Sequence, residues 1–325
     1  MSTSIVSHKD FLSHIEPTGH PEQVMRLKNV IERLKSEEFK DLIWKEAPIA
    51  TKEQLLLGHS KMYLNFIENI QATELLTQLD ADTYFGEGSL NAAKRAVGAN
   101  ISAINDVMSG EFRNAFCAVR PPGHHAETEK AMGFCIFSNV AIAAKFAIEN
   151  HELERVAIVD FDVHHGNGTQ EILWDNRNVL FISTHQMPLW PGSGTQTETG
   201  KHQNMLNIPI QANTDGFTFR TKFDEIILPR LDAYKPEILL ISAGFDAHYK
   251  DPLANIDLRT EDYEWITHKL CDIADKHADG RVISSLEGGY DLAALAESVA
   301  IHVKVLMERS ERVQKRFQSY HSNKQ

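Results

Sequence analysis

The chain has 325 residues, of which 42% are apolar and 24% are charged, so it is expected to fold around a large core rather than remain disordered. It carries 33 Lys and Arg against 45 Asp and Glu, and the formal net charge of −12 argues against a nucleic-acid-binding protein. Binding to a phosphate backbone is driven by a basic surface, and none is visible in this sequence.

The three cysteines are isolated from one another and lack the spacing of a zinc finger or of a disulfide framework. The first residues lack the basic and apolar regions of a signal peptide. No apolar run is long enough to span a bilayer. These features predict a cytoplasmic protein that has no membrane partner.

Elements of secondary structure are predicted from the spacing of apolar residues. Near the start, an apolar stripe predicts a helix over residues 21–40. Runs of β-branched and apolar residues then predict strands at 115–120, 155–160, 179–184, 237–243 and 281–286. Amphipathic spacing predicts helices at 138–149, 218–234 and 261–277, and one or two helices over 292–319.

The alternation of apolar strands with amphipathic helices predicts an α/β fold, in which helices cover both faces of a parallel sheet. No linker, repeat or shift in composition interrupts the chain, so residues 1–325 are expected to form a single domain. The last residues, 304–325, contain six Lys or Arg and two Asp or Glu. A solvated helix end is favoured over a binding tail for this segment.

Four of the predicted strands run directly into polar residues that are capable of chemistry. In open parallel sheets, ligands bind beyond the carboxyl ends of the strands. The four segments that follow these strands are residues 121–125, 160–168, 244–246 and 287–290. Their coincidence at strand ends predicts a functional site at this edge of the sheet.

A metal site is predicted from an Asp-x-His pattern in the second of these segments. Asp162 and His164 share one face of an extended chain, and Asp246 is the best candidate for a third ligand. Two carboxylates and one imidazole leave an open position on Zn²⁺, as in catalytic sites. An isolated Asp-x-His is more often a turn or a cap, but three other polar strand ends favour a metal. Gly166 stands where a second metal would need a carboxylate, so one ion is expected.

A histidine pair and a tyrosine complete the predicted site. One imidazole of His124 and His125 could take a proton from water, with Asp160 and Asn167 as partners for the other ring nitrogens. Tyr290 follows two glycines and could donate a hydrogen bond to a developing oxyanion. A structural role for the histidines and a packed turn for the tyrosine remain the alternatives.

These motifs, taken together, resemble the zinc-dependent histone deacetylase family, which has the arginase-deacetylase fold. The matching segments are residues 120–127, 133–135, 160–169, 191–194, 242–246 and 286–291, and the resemblance covers about residues 7–305. It implies a single α/β domain around an eight-stranded parallel sheet that is flanked by helices on both faces. It also implies Zn²⁺ on Asp162, His164 and Asp246, His125 as general base and then acid, His124 as its electrostatic partner, and Tyr290 as the oxyanion donor.

Further residues are assigned by the resemblance alone. A structural K⁺ is implied near Asp160, Asp162, His164, Ser183 and Thr184, and a second monovalent ion around Leu173, Asn176 and Val179. Gly133, Phe134 and Trp190 are placed beside an acyl-lysine tunnel, although packing beneath a loop is the alternative for Trp190. Ser89 aligns with a serine that contacts the substrate amide in some class II members.

The subclass is also indicated by single residues. Asn167 resembles class II enzymes and the bacterial histone deacetylase-like amidohydrolases, and Tyr290 stands where weakly active class IIa enzymes have His. Leu253 stands where polyamine-selective relatives have a gatekeeper Glu. The segment 19–26 lacks the second proline that is usual after His-Pro-Glu, and Ser138 replaces a more usual Asn.

The expected activity is hydrolysis of N-acetyl-lysine in a peptide or protein. One alternative is an amidohydrolase that acts on acetylpolyamines or on another small acylated amine. The other is a zinc-holding acyl-lysine reader without turnover, which the intact His124, His125 and Tyr290 disfavour.

Overall fold

The computed structural model describes residues 2–71 and 76–322, with side chains described as far as Ser310. The strands are β1 (Ser2–Ser7), β2 (Ile43–Glu46), β3 (Thr77–Asp80), β4 (Thr83–Phe85), β5 (Phe112–Cys117), β6 (Val156–Asp160), β7 (Val179–Gln186), β8 (Met205–Ile210), β9 (Ile238–Ala243) and β10 (Val282–Leu286). The α-helices are α1 (Val24–Leu34), α2 (Lys52–Leu55), α3 (Lys61–Glu68), α4 (Ser89–Met108), α5 (Asn139–His151), α6 (Asn167–Leu173), α7 (Gly216–Lys222), α8 (Leu228–Tyr234), α9 (Thr260–His277) and α10 (Leu292–Ser322).

Eight strands form one parallel sheet in the order β2-β1-β5-β10-β9-β6-β7-β8, and β3 pairs with β4 in a separate antiparallel ribbon. The central strands β6 and β9 are buried along their whole length, as expected for parallel strands that are covered on both faces. Helices α4 and α5 pack against each other, with α5 on β6 and β9 and α4 on β5, β1 and β10, whereas α1, α9 and α10 form a second packed group. The predicted α/β fold with a parallel sheet flanked by helices is therefore confirmed.

The sequence-based strand assignments are closest at the centre of the sheet. The predicted strands at 155–160, 237–243 and 281–286 agree with β6, β9 and β10 within one residue. The strand predicted at 115–120 lies three residues earlier, as β5. The sequence pattern missed β1, β2 and β8, because β1 begins with polar Ser2, Thr3 and Ser4, and β2 is only four residues long.

Two predicted helices differ from the structure. The helix predicted over 21–40 is shorter, because the chain becomes extended at Ser36 before a 3₁₀ turn at Glu37–Phe39. The helix predicted over 218–234 consists of α7 and α8 joined by a π-helical turn at Phe223–Ile227. Pro229 lies at the start of α8, where a missing N–H is tolerated, so the change of register accommodates this proline.

The C-terminal segment forms one helix, α10, and its basic residues are partly paired within the chain. Lys304 Nζ lies 3.0 Å from Glu38 Oε1, and Arg309 Nη1 lies 2.7 Å from Asp272 Oδ1. The remaining basic side chains of the predicted solvated end lie outside the described residues. Among the helices within 2–71 and 76–322, none is long and apolar enough to cross a membrane.

Candidate active site

The four strands whose ends carry the predicted chemistry are consecutive neighbours in the sheet, in the order β5-β10-β9-β6. Because they are parallel, their carboxyl ends meet at one edge, and the segments that follow them converge there. The sequence had identified the four segments, but the order of the strands comes from the structure.

Asp162, His164 and Asp246 turn toward one point, as predicted. Their ligand atoms lie within 4.8 Å of one another, and all three side chains are buried. His164 Nδ1 is 3.2 Å from Asp162 Oδ1 and 3.1 Å from Asp246 Oδ2. Backbone N–H groups of Gly288 and Val163 donate to the other carboxylate oxygens, at 2.8 Å each. This donor set fits one divalent cation and leaves room for a further ligand.

The electrostatics of this cluster favour a positive charge at the same point. Burial lowers the pKa of His164, but its hydrogen bonds to Asp162 and Asp246 outweigh burial and raise that pKa to about 10. Two buried carboxylates that face each other are stable only when a cation or a proton lies between them. The cluster therefore has the charge that a metal ion requires.

Gly288 allows the carboxylates to approach the end of β10. A Cβ atom on Gly288 would lie 2.2 Å from Asp246 Oδ2 and 2.5 Å from Asp162 Oδ2. Any side chain at this position would therefore displace both acidic ligands. From the sequence, the two glycines are expected only to let Tyr290 approach the site closely.

The two histidines have different partners and different charges. His124 Nδ1 donates to Asp160 Oδ2 at 2.9 Å, and His125 Nδ1 donates to Asn167 Oδ1 at 2.8 Å. The orientation of the Asn167 amide is set by Glu127, because its Nδ2 donates to Glu127 Oε1 at 2.8 Å. His125 therefore keeps its Nε2 free to accept a proton.

Burial lowers the pKa of His124, but the carboxylates of Asp162, Asp160 and Glu287 outweigh it and raise that pKa well above its usual value. Burial also lowers the pKa of His125, and the charged His124 beside it lowers it further. The two ring centroids are 3.8 Å apart. The pair therefore consists of a cationic His124 and a neutral His125 that can act as a base.

Glu287, which the sequence reasoning assigned no role, anchors the histidine turn. Its Oε2 accepts from the backbone N–H of Gly123 at 2.6 Å and of His124 at 3.2 Å. Its Oε1 accepts from the Ser242 hydroxyl at 3.1 Å. One buried carboxylate thus ties the ends of β5, β9 and β10 together.

A cavity of about 360 Å³ contains the reactive groups His125, His164 and Tyr290. Four residues that the sequence assigned to the tunnel line it: Gly133, Phe134, Trp190 and Leu253. Leu189 also lines it, in the loop segment expected beside the channel, and so do His20 and Pro21 from the segment 19–26. The wall residues that have no signal in the sequence are Ala81, Asp82 and Tyr84. The ring centroids of Phe134 and Tyr290 are 5.7 Å apart, and those of Trp190 and His125 are 4.7 Å apart.

The phenol of Tyr290 is suited to donate a hydrogen bond. Burial raises the pKa of Tyr290 well above its usual value, so the hydroxyl stays protonated. The ring of Tyr290 lies against the guanidinium of Arg26, with 4.8 Å from Cζ to the ring centroid.

Gly133 keeps the wall of the cavity close to His125. Its φ is +55°, and a Cβ atom there would lie 2.5 Å from His125 Cδ2 and 2.5 Å from the Trp190 ring. We expect Gly133→Ala to lower kcat/KM by about 10–10²-fold, because a displacement near 1 Å at a catalytic group can cost that much. The variant is assayed beside Gly110→Ala, which has a similar φ of +78° but no atom within 4 Å of the added Cβ. Equal activities of the two variants would contradict the expectation.

The structure corrects the expectation for Ser89. Its side chain is fully buried at the first turn of α4. The hydroxyl contacts His14 Nδ1 at 2.8 Å and accepts from the backbone N–H of Gly86 at 2.8 Å. The hydroxyl therefore stabilises the turn before α4 through these two hydrogen bonds, and Ser89 is not among the described residues that line the cavity. The nearby residues that do line the cavity are Asp82, in the turn between β3 and β4, and Tyr84, in β4.

Near Asp160, where the resemblance implies K⁺, hydroxyl and carbonyl oxygens lie close together. His185 Nε2 donates to the Gly194 carbonyl at 2.8 Å, so its Nδ1 accepts from the Ser183 hydroxyl at 3.0 Å. The lone pairs of Ser183 Oγ are therefore free. Thr184 Oγ1 lies 3.4 Å from the Asp160 carbonyl. Neutral hydroxyl and carbonyl oxygens of this kind are ligands that K⁺ accepts.

The residues expected for a second monovalent ion do not fit one. The Leu173 carbonyl accepts from the N–H of Asn176 at 3.0 Å, and the Asn176 carbonyl accepts from the N–H of Val179 at 3.2 Å. Both carbonyls also accept from Asn204 Nδ2, at 3.2 Å and 3.1 Å. With two donors each, they have no lone pair left for an ion. A buried side-chain amide takes the place of the cation here.

We expect Asn204→Ala to make the stability of the protein more dependent on K⁺. The substitution removes one bond from each of two buried carbonyls, which costs about 1–3 kcal/mol of unfolding free energy, and a cation can then occupy the space. Thermal unfolding is compared in KCl and in tetramethylammonium chloride at equal ionic strength. The oxygen atoms near Asp160 are the same in the wild type and in the variant. A difference in the K⁺ response of thermal unfolding between the two proteins therefore reports on the Asn204 position. An equal K⁺ response in both proteins would refute this expectation.

Comparisons with known proteins agree with this geometry. The histone deacetylase domain model matches residues 20–306. The chain is 39% identical to a probable deacetylase of Archaeoglobus fulgidus, over 90% of this chain and 82% of that protein. It is 36% identical to the histone deacetylase-like amidohydrolase of Pseudomonas aeruginosa, over 85% of this chain and 73% of that protein. The crystal structure of the HDA15 HD domain superposes with a TM-score of 0.89 and 33% identity, covering 95% of this chain and 89% of that one.

Proposed function

The chain belongs to the histone deacetylase family, and from that premise we propose that it is a zinc-dependent amidohydrolase that removes acetyl groups from N-acyl-lysine in peptides or proteins. The observation that carries the proposal is the composition of one cavity. The neutral imidazole of His125 with its free Nε2 and the protonated phenol of Tyr290 line it, and so does His164, whose imidazole belongs to the cluster with Asp162 and Asp246. These are the groups that metal-assisted amide hydrolysis requires.

Each protein group has one task in the proposed reaction. Zinc held by Asp162, His164 and Asp246 would polarise the acyl carbonyl and make a water molecule more acidic. His125 takes the proton of the attacking water at Nε2, because its Nδ1–H is already donated to Asn167. Tyr290 donates a hydrogen bond to the carbonyl oxygen as negative charge develops on it.

The C–N bond then breaks, and His125 gives its proton to the leaving nitrogen. The amide and the water thereby become a carboxylic acid and an amine, and transfer of the acid proton to the amine leaves acetate and an ammonium group. The cationic His124 remains bonded to Asp160 throughout and keeps the proton affinity of His125 low. A low proton affinity favours the return of the proton to the amine.

The walls of the cavity support an acyl-lysine substrate over an acetylpolyamine. The aromatic side chains of Phe134 and Trp190 and the aliphatic Leu253 suit the methylene chain of lysine. An acetylpolyamine carries further ammonium groups, and Leu253 offers no carboxylate to receive one at the position where polyamine-selective relatives have Glu. Asp82 is the one acidic side chain among the described lining residues, so the argument for acyl-lysine rests on the apolar side chains of Phe134, Trp190 and Leu253.

Acetate release from an acetyl-lysine peptide and from an acetylpolyamine tests the proposal, with purified protein of measured metal content. The ratio of the two kcat/KM values defines the specificity. We expect faster hydrolysis of the peptide, and loss of the rate when a chelator removes the metal. Faster hydrolysis of the polyamine would identify the small-amine alternative. If the protein binds zinc but releases acetate from neither substrate, the function that remains is an acyl-lysine reader without catalysis.

A further inference from the structure

Tyr290 lies in a short connection between β10 and α10, so its position depends on contacts made by its backbone. The residue before it, Gly289, has φ of +119°, a conformation that residues with a side chain rarely adopt. A phenol must point at the substrate carbonyl to within a few tenths of an ångström to act as an oxyanion donor. Some element of the protein must therefore fix the direction of this side chain.

The peptide group between Gly289 and Tyr290 is held from both ends by opposite charges. Arg26 Nε donates to the Gly289 carbonyl at 2.6 Å, and Asp251 Oδ2 accepts from the Tyr290 N–H at 2.7 Å. The guanidinium faces the negative end of the peptide dipole, and the carboxylate faces the positive end. The guanidinium contact is charge-assisted, and the Asp251 contact is so when the carboxyl is ionised, because burial and then the charge of Asp246 raise the pKa of Asp251 to about 7. Charge-assisted bonds are roughly twice as strong as bonds between neutral groups. Together they fix the plane of the peptide, and hence the direction of the Cα–Cβ bond of Tyr290.

Asp251 also reaches the wall of the cavity. Its second oxygen, Oδ1, accepts from the backbone N–H of Leu253 at 2.9 Å. Its own N–H donates to the His248 carbonyl at 2.8 Å, so the turn that carries Asp251 is itself held. The residue is 8% exposed and is not among the described residues that line the cavity. It can therefore act on the substrate only through Tyr290 and Leu253.

From this geometry we propose that Asp251 is a positioning residue, which orients Tyr290 for catalysis by accepting its backbone N–H. The inference rests on the proposed function, because it concerns the phenol that acts on the acyl carbonyl. It explains why a buried acidic residue, distant in sequence from the tyrosine, lies behind the cavity wall rather than in it. Arg26 completes the orientation from the opposite end of the same peptide.

A double-mutant cycle tests the proposal. We expect Asp251→Ala to lower kcat by about 10–10²-fold while zinc stays bound, because a small displacement of a catalytic group can cost that much. In a Tyr290→Phe background, the same substitution is expected to lower kcat by less than about threefold, since the phenol is no longer there to orient. A decrease of equal size in both backgrounds would refute the proposal. Asp257→Asn, at a partly exposed position that is not among the lining residues of the cavity, is the control and should leave kcat unchanged.

Asp251→Asn provides the test if Asp251→Ala does not fold. The amide has nearly the same shape, but it offers one oxygen and one NH₂ group, so it cannot accept from both N–H groups. We expect Asp251→Asn to lower kcat as much as Asp251→Ala does. In the Tyr290→Phe background, Asp251→Asn should lower kcat by less than about threefold. Full activity of Asp251→Asn would overturn the proposal.

A second measurement does not depend on turnover. Selective ¹⁵N labelling of the seven tyrosines gives a simple amide spectrum, in which Tyr290→Phe identifies the Tyr290 signal by its absence. We expect an upfield shift of that amide proton in Asp251→Asn, because its bond to a carboxylate is lost. An unchanged signal would refute the inference even in an active enzyme. A wild type that binds zinc and turns over no acylated amine would instead refute the proposed function.

Discussion

Replacing His125 by Ala is expected to lower kcat/KM for an acetyl-lysine peptide by about 10²–10⁴-fold, the range that general acid–base catalysis contributes. His125 is neutral, its Nδ1–H is fixed by Asn167, and its Nε2 is free, so no neighbouring group duplicates its role. The cationic His124 cannot accept a second proton. Steady-state kinetics measure the effect, with metal content determined for each protein. His202→Ala, at an exposed position, is the control.

The pH profile supplies a second check on His125. The base is active when neutral, and its pKa lies below the usual value of 6.5 because of burial and, next, the charge of His124. The wild-type kcat/KM should therefore stay nearly constant as the pH falls to 6.5 and should decrease only below it. A decrease of wild-type kcat/KM that begins above pH 6.5 would assign the base to another group. A kcat/KM of His125→Ala within tenfold of the wild-type value would do the same.

Replacing Tyr290 by Phe is expected to lower kcat by about 10²–10³-fold, because removal of one oxyanion donor typically costs that much. The phenol is protonated, since burial raises its pKa well above the usual value, and its ring is held between Phe134 and Arg26. The substitution keeps the ring and removes only the hydroxyl. KM should change little, because the hydrogen bond strengthens as charge develops in the transition state.

Tyr249→Phe is the matched control, because its ring is 44% exposed and does not line the catalytic cavity. Zinc content should be equal in the wild type and both variants, since neither tyrosine contacts the ligand cluster through its hydroxyl. Unchanged turnover in Tyr290→Phe would remove this residue from the mechanism.

The metal ligands and the histidine pair could be predicted from sequence because their constraints are local. Asp162 and His164 are two residues apart on one extended segment, and His124 and His125 are adjacent. Asp162 and His164 follow the end of β6 within four residues, and the histidine pair follows β5 after a six-residue segment. A parallel sheet brings such strand ends to one edge regardless of the order of the strands.

The walls of the cavity could be predicted only in part. Ala81, Asp82 and Tyr84 lie in the ribbon formed by β3 and β4, and their sequence pattern does not differ from that of an ordinary surface turn. Ser89 was assigned by alignment with a relative, but the packing of α4 against His14 turns its hydroxyl inward.

The sequence by itself determined the parallel α/β architecture and identified the side chains that gather in the candidate site. Both follow from short-range patterns: continuous apolar strands, and polar side chains at their ends. The tertiary structure decided the strand order, the charges of the two histidines, the amide of Asn204 in place of an ion, and the carboxylate of Asp251 behind Tyr290. These features depend on burial and on contacts between residues that are far apart in the chain, and no local pattern records either of them.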